Sequence, residues 1–221
     1  MLRIVIVRPG ATDYDREERI QGVLDIPLSS QGLCEVARTV EQLRDKGVEW
    51  IYAPATAATQ QTAEILANDL SARFKKLDRM ANMNFGLWQG MKVPEIRHKQ
   101  PKVYRQWQEQ PDNVCPPDGE MIEQVEQRIK AALAKLLRKH KKGVIALVLS
   151  EPLATLTRHY LVHDELGDLW KALANHGRFE IVDYETSKVV ALSNPVSSNA
   201  SFGNSTLGNP ILGNPTLGIH G

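Results

Sequence analysis

Two short, almost wholly apolar runs lie near the two ends of the chain's patterned region, residues 2–7 and 144–149. Each is far below the ~20 apolar residues of a membrane span, and each is rich in the branched side chains that suit a buried parallel strand. Helical spacing fills the sequence between them. Residues 30–46 repeat Leu33, Val36, Ala37, Val40 and Leu43 on one face before Gly47. Residues 59–70 place Ala63, Leu66 and Leu70 together, and 119–142 do the same with Ile122, Val125, Ile129 and Leu133. A further short strand is expected at 50–52, a helix at 153–161 behind Pro152, and a terminal hairpin at 179–184 and 188–192. Strands interleaved with helices predict an α/β fold with a mostly parallel central sheet and helices on both faces. Ligands of such sheets bind beyond the C-terminal strand ends, which points to residues 8–12, 53–58 and 150–152.

Charge and composition exclude several classes. Lys+Arg 27 against Asp+Glu 26 leaves a net charge of +1, so neither a nucleic-acid scaffold nor a polybasic membrane anchor is expected. Cys34 and Cys115 are too few and too far apart for a disulfide framework or a zinc site. The N-terminal apolar run is too short for a signal peptide, and a soluble cytoplasmic protein without a cofactor is the expectation. From Ser193 to Gly221 there is no Asp, Glu, Lys or Arg, and Asn194, Asn199, Asn204, Asn209 and Asn214 recur every fifth residue. The chain therefore divides into a domain at 1–192 and a Ser/Asn/Gly/Pro-rich tail at 193–221, expected to be disordered by composition. The alternative for the tail is a short five-residue solenoid.

Other residues carry two readings each. His159 and His163 stand at the i,i+4 spacing of a metal pair but show no third ligand. His176 reads as a turn residue and His98 as a solvated loop residue. Trp88, Trp107 and Tyr104 read as packing or as the wall of a ligand cleft. The basic stretch 139–142 reads as a solvated helix end; a binding patch would need further cations on the same face.

The segments at the strand ends resemble the histidine phosphatase (phosphoglycerate mutase-like) superfamily. Val7-Arg8-Pro9-Gly10-Ala11-Thr12 stands where that family has Arg-His-Gly-Glu-Thr. Arg19-Ile20-Gln21-Gly22, Asp25-Ile26-Pro27-Leu28-Ser29, Gln31-Gly32 and Gln61-Thr62-Ala63-Glu64 follow in the family's order. Asn84-Phe85-Gly86-Leu87-Trp88-Gln89-Gly90 is similar to its Asn-Phe-Gly-x-Trp-Glu-Gly, and Pro116-Pro117-Asp118-Gly119-Glu120 to its Pro-Pro-Gly-Gly-Glu. Leu149-Ser150-Glu151-Pro152 takes the place of its Ser-His-Gly. The resemblance covers nearly all of 1–192.

The resemblance implies phosphoryl transfer to a histidine, with two arginines and a second histidine cradling the phosphate and a carboxylic acid protonating the leaving group. This chain departs at most of those places. The nucleophile position is Pro9, which has no side chain able to attack. The second arginine falls at Ala58, with Ala57 the alternative. The acid positions hold Asn82 and Ala11, and the second histidine is Glu151. Only Arg8 of the core set survives, with Gly10 and Thr12 beside it as remaining pocket positions. A carboxylate about 4 Å from a bound phosphate costs on the order of 4 kcal/mol at an effective dielectric near 20. We therefore expect Arg8 and Glu151 to face each other and neutralise one another, with Arg8 and Thr12 the residues open to a ligand otherwise.

The expected function is a pseudoenzyme: a binding, regulatory or scaffold module without phosphoryl transfer. The alternative is a phosphatase or phosphomutase that acts on a small phosphorylated substrate with Arg8 and Glu151 as substitute residues. No catalytic residue and no metal site is assigned. The expected partner is a protein or a small phosphorylated ligand, with no nucleic acid and no membrane, and a homodimer is left open.

Overall fold

A computed structural model describes residues 1–77 and 79–185, together with the strand at 188–192. The tail at 193–221 lies outside the described residues. Six strands form one sheet in the order β3-β2-β4-β1-β5-β6. They are β1 Leu2–Val7, β2 Val48–Ala53, β3 Arg73–Lys76, β4 Gly143–Val148, β5 Phe179–Asp183 and β6 Lys188–Leu192. The first four are mutually parallel, and β5 and β6 run antiparallel to their neighbours.

Alternation in the central strands builds two cores. Ile4 and Ile6 of β1 join Ile145 and Leu147 of β4 on one face. There they meet α6 (Ile122–Lys139) and α7 (Leu153–Val162), through side chains such as Ile129, Leu133 and Leu156. Val5, Val7, Ala146 and Val148 point the other way, onto α2 (Ser30–Leu43) and α3 (Ala57–Asp69). Strands covered on both faces lose the polar alternation of a half-exposed sheet, which is why they read as unbroken apolar runs.

The differences from the sequence expectation have local causes. The helix expected at 119–142 starts at Ile122, because Gly119 and Glu120 are bound elsewhere: the Glu120 N–H donates to the Asn84 carbonyl at 2.8 Å, and the Asn84 N–H donates back to Glu120 Oε2 at 2.9 Å. It ends at Lys139, since the His140 ring turns aside to the Tyr52 hydroxyl at 2.8 Å. Strand β3 was not expected. Its sequence, Arg-Phe-Lys-Lys, shows no apolar run because it lies at the sheet's edge. Four short helices were also not expected: α1 (Asp13–Arg16), α4 (Val93–Lys99), α5 (Pro101–Glu109) and α8 (Leu169–Ala172). Trp88 and Trp107 are fully buried and pack with Phe85 and Trp170, so these tryptophans serve as core. No helix among the described residues is long and apolar enough to cross a membrane.

Candidate functional site

Parallel strands β1 and β4 end side by side, so the residues that follow them meet. Arg8 leaves β1 with its N–H bonded to the Arg178 carbonyl at 2.8 Å. Its Nε donates to Glu151 Oε1 at 2.7 Å, and its Nη1 lies 2.7 Å from Glu180 Oε1. All three side chains are buried: the residues are 8%, 7% and 4% exposed. One guanidinium thus faces two carboxylates. Burial works against the charged guanidinium, but Glu151 and Glu180 outweigh it and hold Arg8 above its ordinary value, so it stays a cation. Arg158 of α7 stands 3.8 Å from the other Glu180 oxygen and also pairs with Asp164.

Glu151 has a second task. Its Oε2 accepts the Thr155 N–H at 3.1 Å, in the first turn of α7. Asn82 secures the same segment: its amide donates to the Glu151 carbonyl at 2.9 Å and to the Gly22 carbonyl at 3.1 Å. Thr12 is the cap of α1. Its hydroxyl donates to Asp15 at 2.7 Å and accepts the Asp15 N–H at 3.3 Å. The Gly10 N–H points to Thr62 of α3 at 3.4 Å, and Ala58 lies one turn earlier on that helix, 1% exposed. Gly10 passes so close to Gly32, in the first turn of α2, that a Cβ on either residue would collide with backbone of the opposing segment.

The opening at the strand ends is a cleft of ≈ 420 Å³, counted with its mouth. Its wall comprises Pro9, Gly10, Ser150, Glu151, Asn175 and His176, with Asp15, Arg19 and Gln21. Of the sequence-derived positions, Pro9, Gly10 and Glu151 reach this wall. Arg8, Thr12, Ala58 and Asn82 are drawn into internal contacts around it. A larger and more apolar cleft of ≈ 650 Å³ adjoins it, walled by Val93, Pro94, Trp170 and Leu173.

Two contributors escaped the sequence reading. Glu180 was hidden inside a strand; a carboxylate in the otherwise apolar Phe-Glu-Ile-Val run was the available signal. His176 is more than a turn residue: its Nδ1 meets Glu35 Oε2 at 2.8 Å, and that oxygen also accepts the Ala11 N–H at 2.9 Å. Burial pushes the Glu35 carboxyl up, but the hydrogen bonds from His176, Ala11 and Gln31 outweigh it and the net direction is down. The same bond to Glu35 raises His176, against the effect of burial.

A model of the histidine phosphatase superfamily (branch 1) matches residues 4–194. The chain belongs to that superfamily. Among histidine phosphatase relatives, it is 25% identical over 192 residues to phosphoserine phosphatase 1 of Hydrogenobacter thermophilus, covering 87% of this chain and 91% of that one. It is 30% identical over 138 residues to "Probable phosphoglycerate mutase GpmB" of an Enterobacter species, covering 62% and 64%. Solved structures share the fold. Bacillus stearothermophilus YhfR superimposes with a TM-score of 0.74 at 21% identity, covering 89% of this chain and 98% of that one. A mycobacterial glucosyl-3-phosphoglycerate phosphatase gives 0.72 at 23% identity, covering 86% and 96%.

Proposed function

We propose that this chain is a histidine phosphatase-fold pseudoenzyme: a binding, regulatory or scaffold module that performs no phosphoryl transfer. The observation that carries the reading is the occupation of Arg8 by Glu151 and Glu180. A phosphate brought to Arg8 has to displace one carboxylate and lie against the other. Pro9 on the cleft wall adds that the side chain at that position cannot form a covalent phosphoryl bond. The surrounding residues have been put to structural use, with Thr12 capping a helix and Asn82 tying two loops together.

A second reading has its own support. The relatives carry the names of phosphatases and mutases, which favours an enzyme acting on a small phosphorylated substrate. In that reading Glu151 attacks phosphorus to give an acyl phosphate, the alcohol leaves with a proton from solvent, and water hydrolyses the intermediate while Arg8 holds the phosphate.

The assay uses p-nitrophenyl phosphate from pH 5 to 9, with acid-quenched protein checked for bound phosphate. The pseudoenzyme reading expects neither release of nitrophenol above a buffer control nor a phosphorylated chain. Turnover that disappears in both Arg8→Ala and Glu151→Gln, with the variants still folded, establishes the second reading and removes the first.

A further inference from the structure

Helix α6 ends in Arg138 and Lys139, and the sequence alone leaves that end as a solvated terminus. The fold adds the missing cations. Edge strand β3 and the turn after it bring Lys75, Lys76 and Arg79 opposite Lys135 and Lys139, across a cleft of ≈ 950 Å³ counted with its mouth. Its floor is apolar, from Leu77, Leu136 and two alanines of α6. The five cations lie in one groove of a chain whose net charge is +1. None of them is in an ion pair with a described carboxylate, although eight other lysine and arginine side chains have such pairs.

Lys139 is also held in place. Its Nζ donates to the Tyr52 hydroxyl at 3.0 Å and stands 4.1 Å from the centre of the Trp50 ring. Arg73 lies over the same ring at 5.2 Å. Burial first, and the charge of Lys139 second, keep His140 below its ordinary value, and its Nε2 meets the same Tyr52 hydroxyl at 2.8 Å. A lysine ordered by a hydroxyl and an indole presents its charge at a fixed place, at a smaller entropy cost on binding than a free one.

We propose that this groove docks an acidic, extended segment of a partner protein. Three observations favour a peptide. The outer edge of β3 has no strand partner among the described residues, so its backbone N–H and C=O groups are open to an added strand. The apolar floor takes alternate side chains, while the cations take Asp or Glu. Nucleic acid fits less well: the Trp50 and Tyr52 rings stack on each other, and Lys139 and Arg73 occupy their neighbourhood, leaving no free stacking platform. A second copy of β3 would set Lys against Lys, since like charges facing across strands repel. Edge lysines that deter self-pairing are compatible with an acidic strand. The groove is separate from the cleft at the ends of β1 and β4, and the proposal does not depend on whether that cleft is catalytic.

The test is fluorescence anisotropy on the full chain with a labelled ten-residue peptide of alternating Glu and Val. A Lys/Val peptide and a ten-nucleotide oligothymidylate serve as comparisons. Expected are saturable binding of the Glu/Val peptide alone, weakening with salt, and at least a tenfold loss in the double variant Lys75→Glu with Lys135→Glu. The control, Lys102→Glu with Arg105→Glu on α5, should bind within twofold of the parent. A matching circular dichroism spectrum and melting curve for both double variants confirm that each is folded. Absence of binding, equal losses in both variants, or oligothymidylate binding as tightly as the peptide overturns the proposal. A dimer in light scattering that the Lys75/Lys135 variant alters overturns it as well.

Discussion

Arg8 and Glu151 meet across the ends of two adjacent parallel strands, Nε to Oε1 at 2.7 Å, with both side chains almost wholly out of water. Glu180 closes the other side of the guanidinium. Removing the cation from this cage leaves Glu151 without this partner and Glu180 with Arg158 at 3.8 Å. Breaking a buried pair by removing one partner costs about 3–5 kcal/mol. Urea unfolding of Arg8→Met should show a loss of that size. A loss below about 1 kcal/mol would mean that the two carboxylates are solvated or protonated without it, and the caged arginine would not be a structural element.

The His176–Glu35 contact makes stability depend on pH. The folded-state value of His176 lies above its ordinary 6.5, so its contribution is complete below that pH and fades as the pH rises through the raised value. Glu35 has the opposite sense: its folded value lies below the ordinary 4.5, so its contribution is present above 4.5 and fades as the pH falls through the lowered value. The difference in unfolding free energy between the parent and His176→Gln should therefore shrink on going from pH 6 to pH 9. A difference that grows over that range, or an NMR titration placing His176 below 6.5, would reverse the assignment.

Gly10 and Gly32 permit two backbones to touch. Gly10→Ala puts a Cβ into the Gly32 carbonyl, which no side-chain rotation relieves. Overpacking of this kind costs about 1–3 kcal/mol. The expected result is a clearly lower urea midpoint for Gly10→Ala, with Gly47→Ala as a contrast, since Gly47 has open space but a left-handed φ of 69°.

Thr12 separates a cap from a pocket hydroxyl. Thr12→Ala should cost about 0.5–2 kcal/mol through loss of the cap on α1. A double-mutant cycle with Asp15→Asn should show that the two losses are not additive, because the residues bond each other. Independent losses would place the hydroxyl in some other role.

Placing a histidine at position 9 alone should give no activity. Pro9→His adds an imidazole to the cleft wall but leaves Arg8 neutralised by Glu151 and Glu180. Neither hydrolysis of p-nitrophenyl phosphate nor acid-labile phosphate on the chain is expected from that variant. Detection of either would show that the remaining cations suffice.

The parts of the fold legible in the sequence were those whose signal is burial. Ile4, Val5, Ile6 and Val7, and Ile145 to Val148, are covered on both faces, so their composition alone marks them as central strands. The ion pair of Arg8 and Glu151 was also within reach, because both residues follow strands that had to lie side by side. Glu180 and His176 were not. Each acts through a partner more than 140 positions away, or across a strand that enters antiparallel, and nothing local to 176–180 declares that partner. The edge strand β3 was illegible for the reverse reason: exposed on its outer side and lysine-rich, it carries no apolar pattern. The cations it places opposite α6 appear as a group only once the chain is folded.

One guanidinium shared between a carboxylate that follows β4 and one inside β5 has a consequence for substitution at this end of the sheet. Replacing Glu151 by histidine leaves Glu180 beside Arg8, and replacing neither carboxylate leaves a histidine at position 9 facing a neutralised cation. On the pseudoenzyme reading, each single substitution toward the family's residues gives up packing or charge balance before any activity is gained. On that reading, selection acting on one substitution at a time would keep the caged arginine as a fixed rivet while the outer surfaces vary.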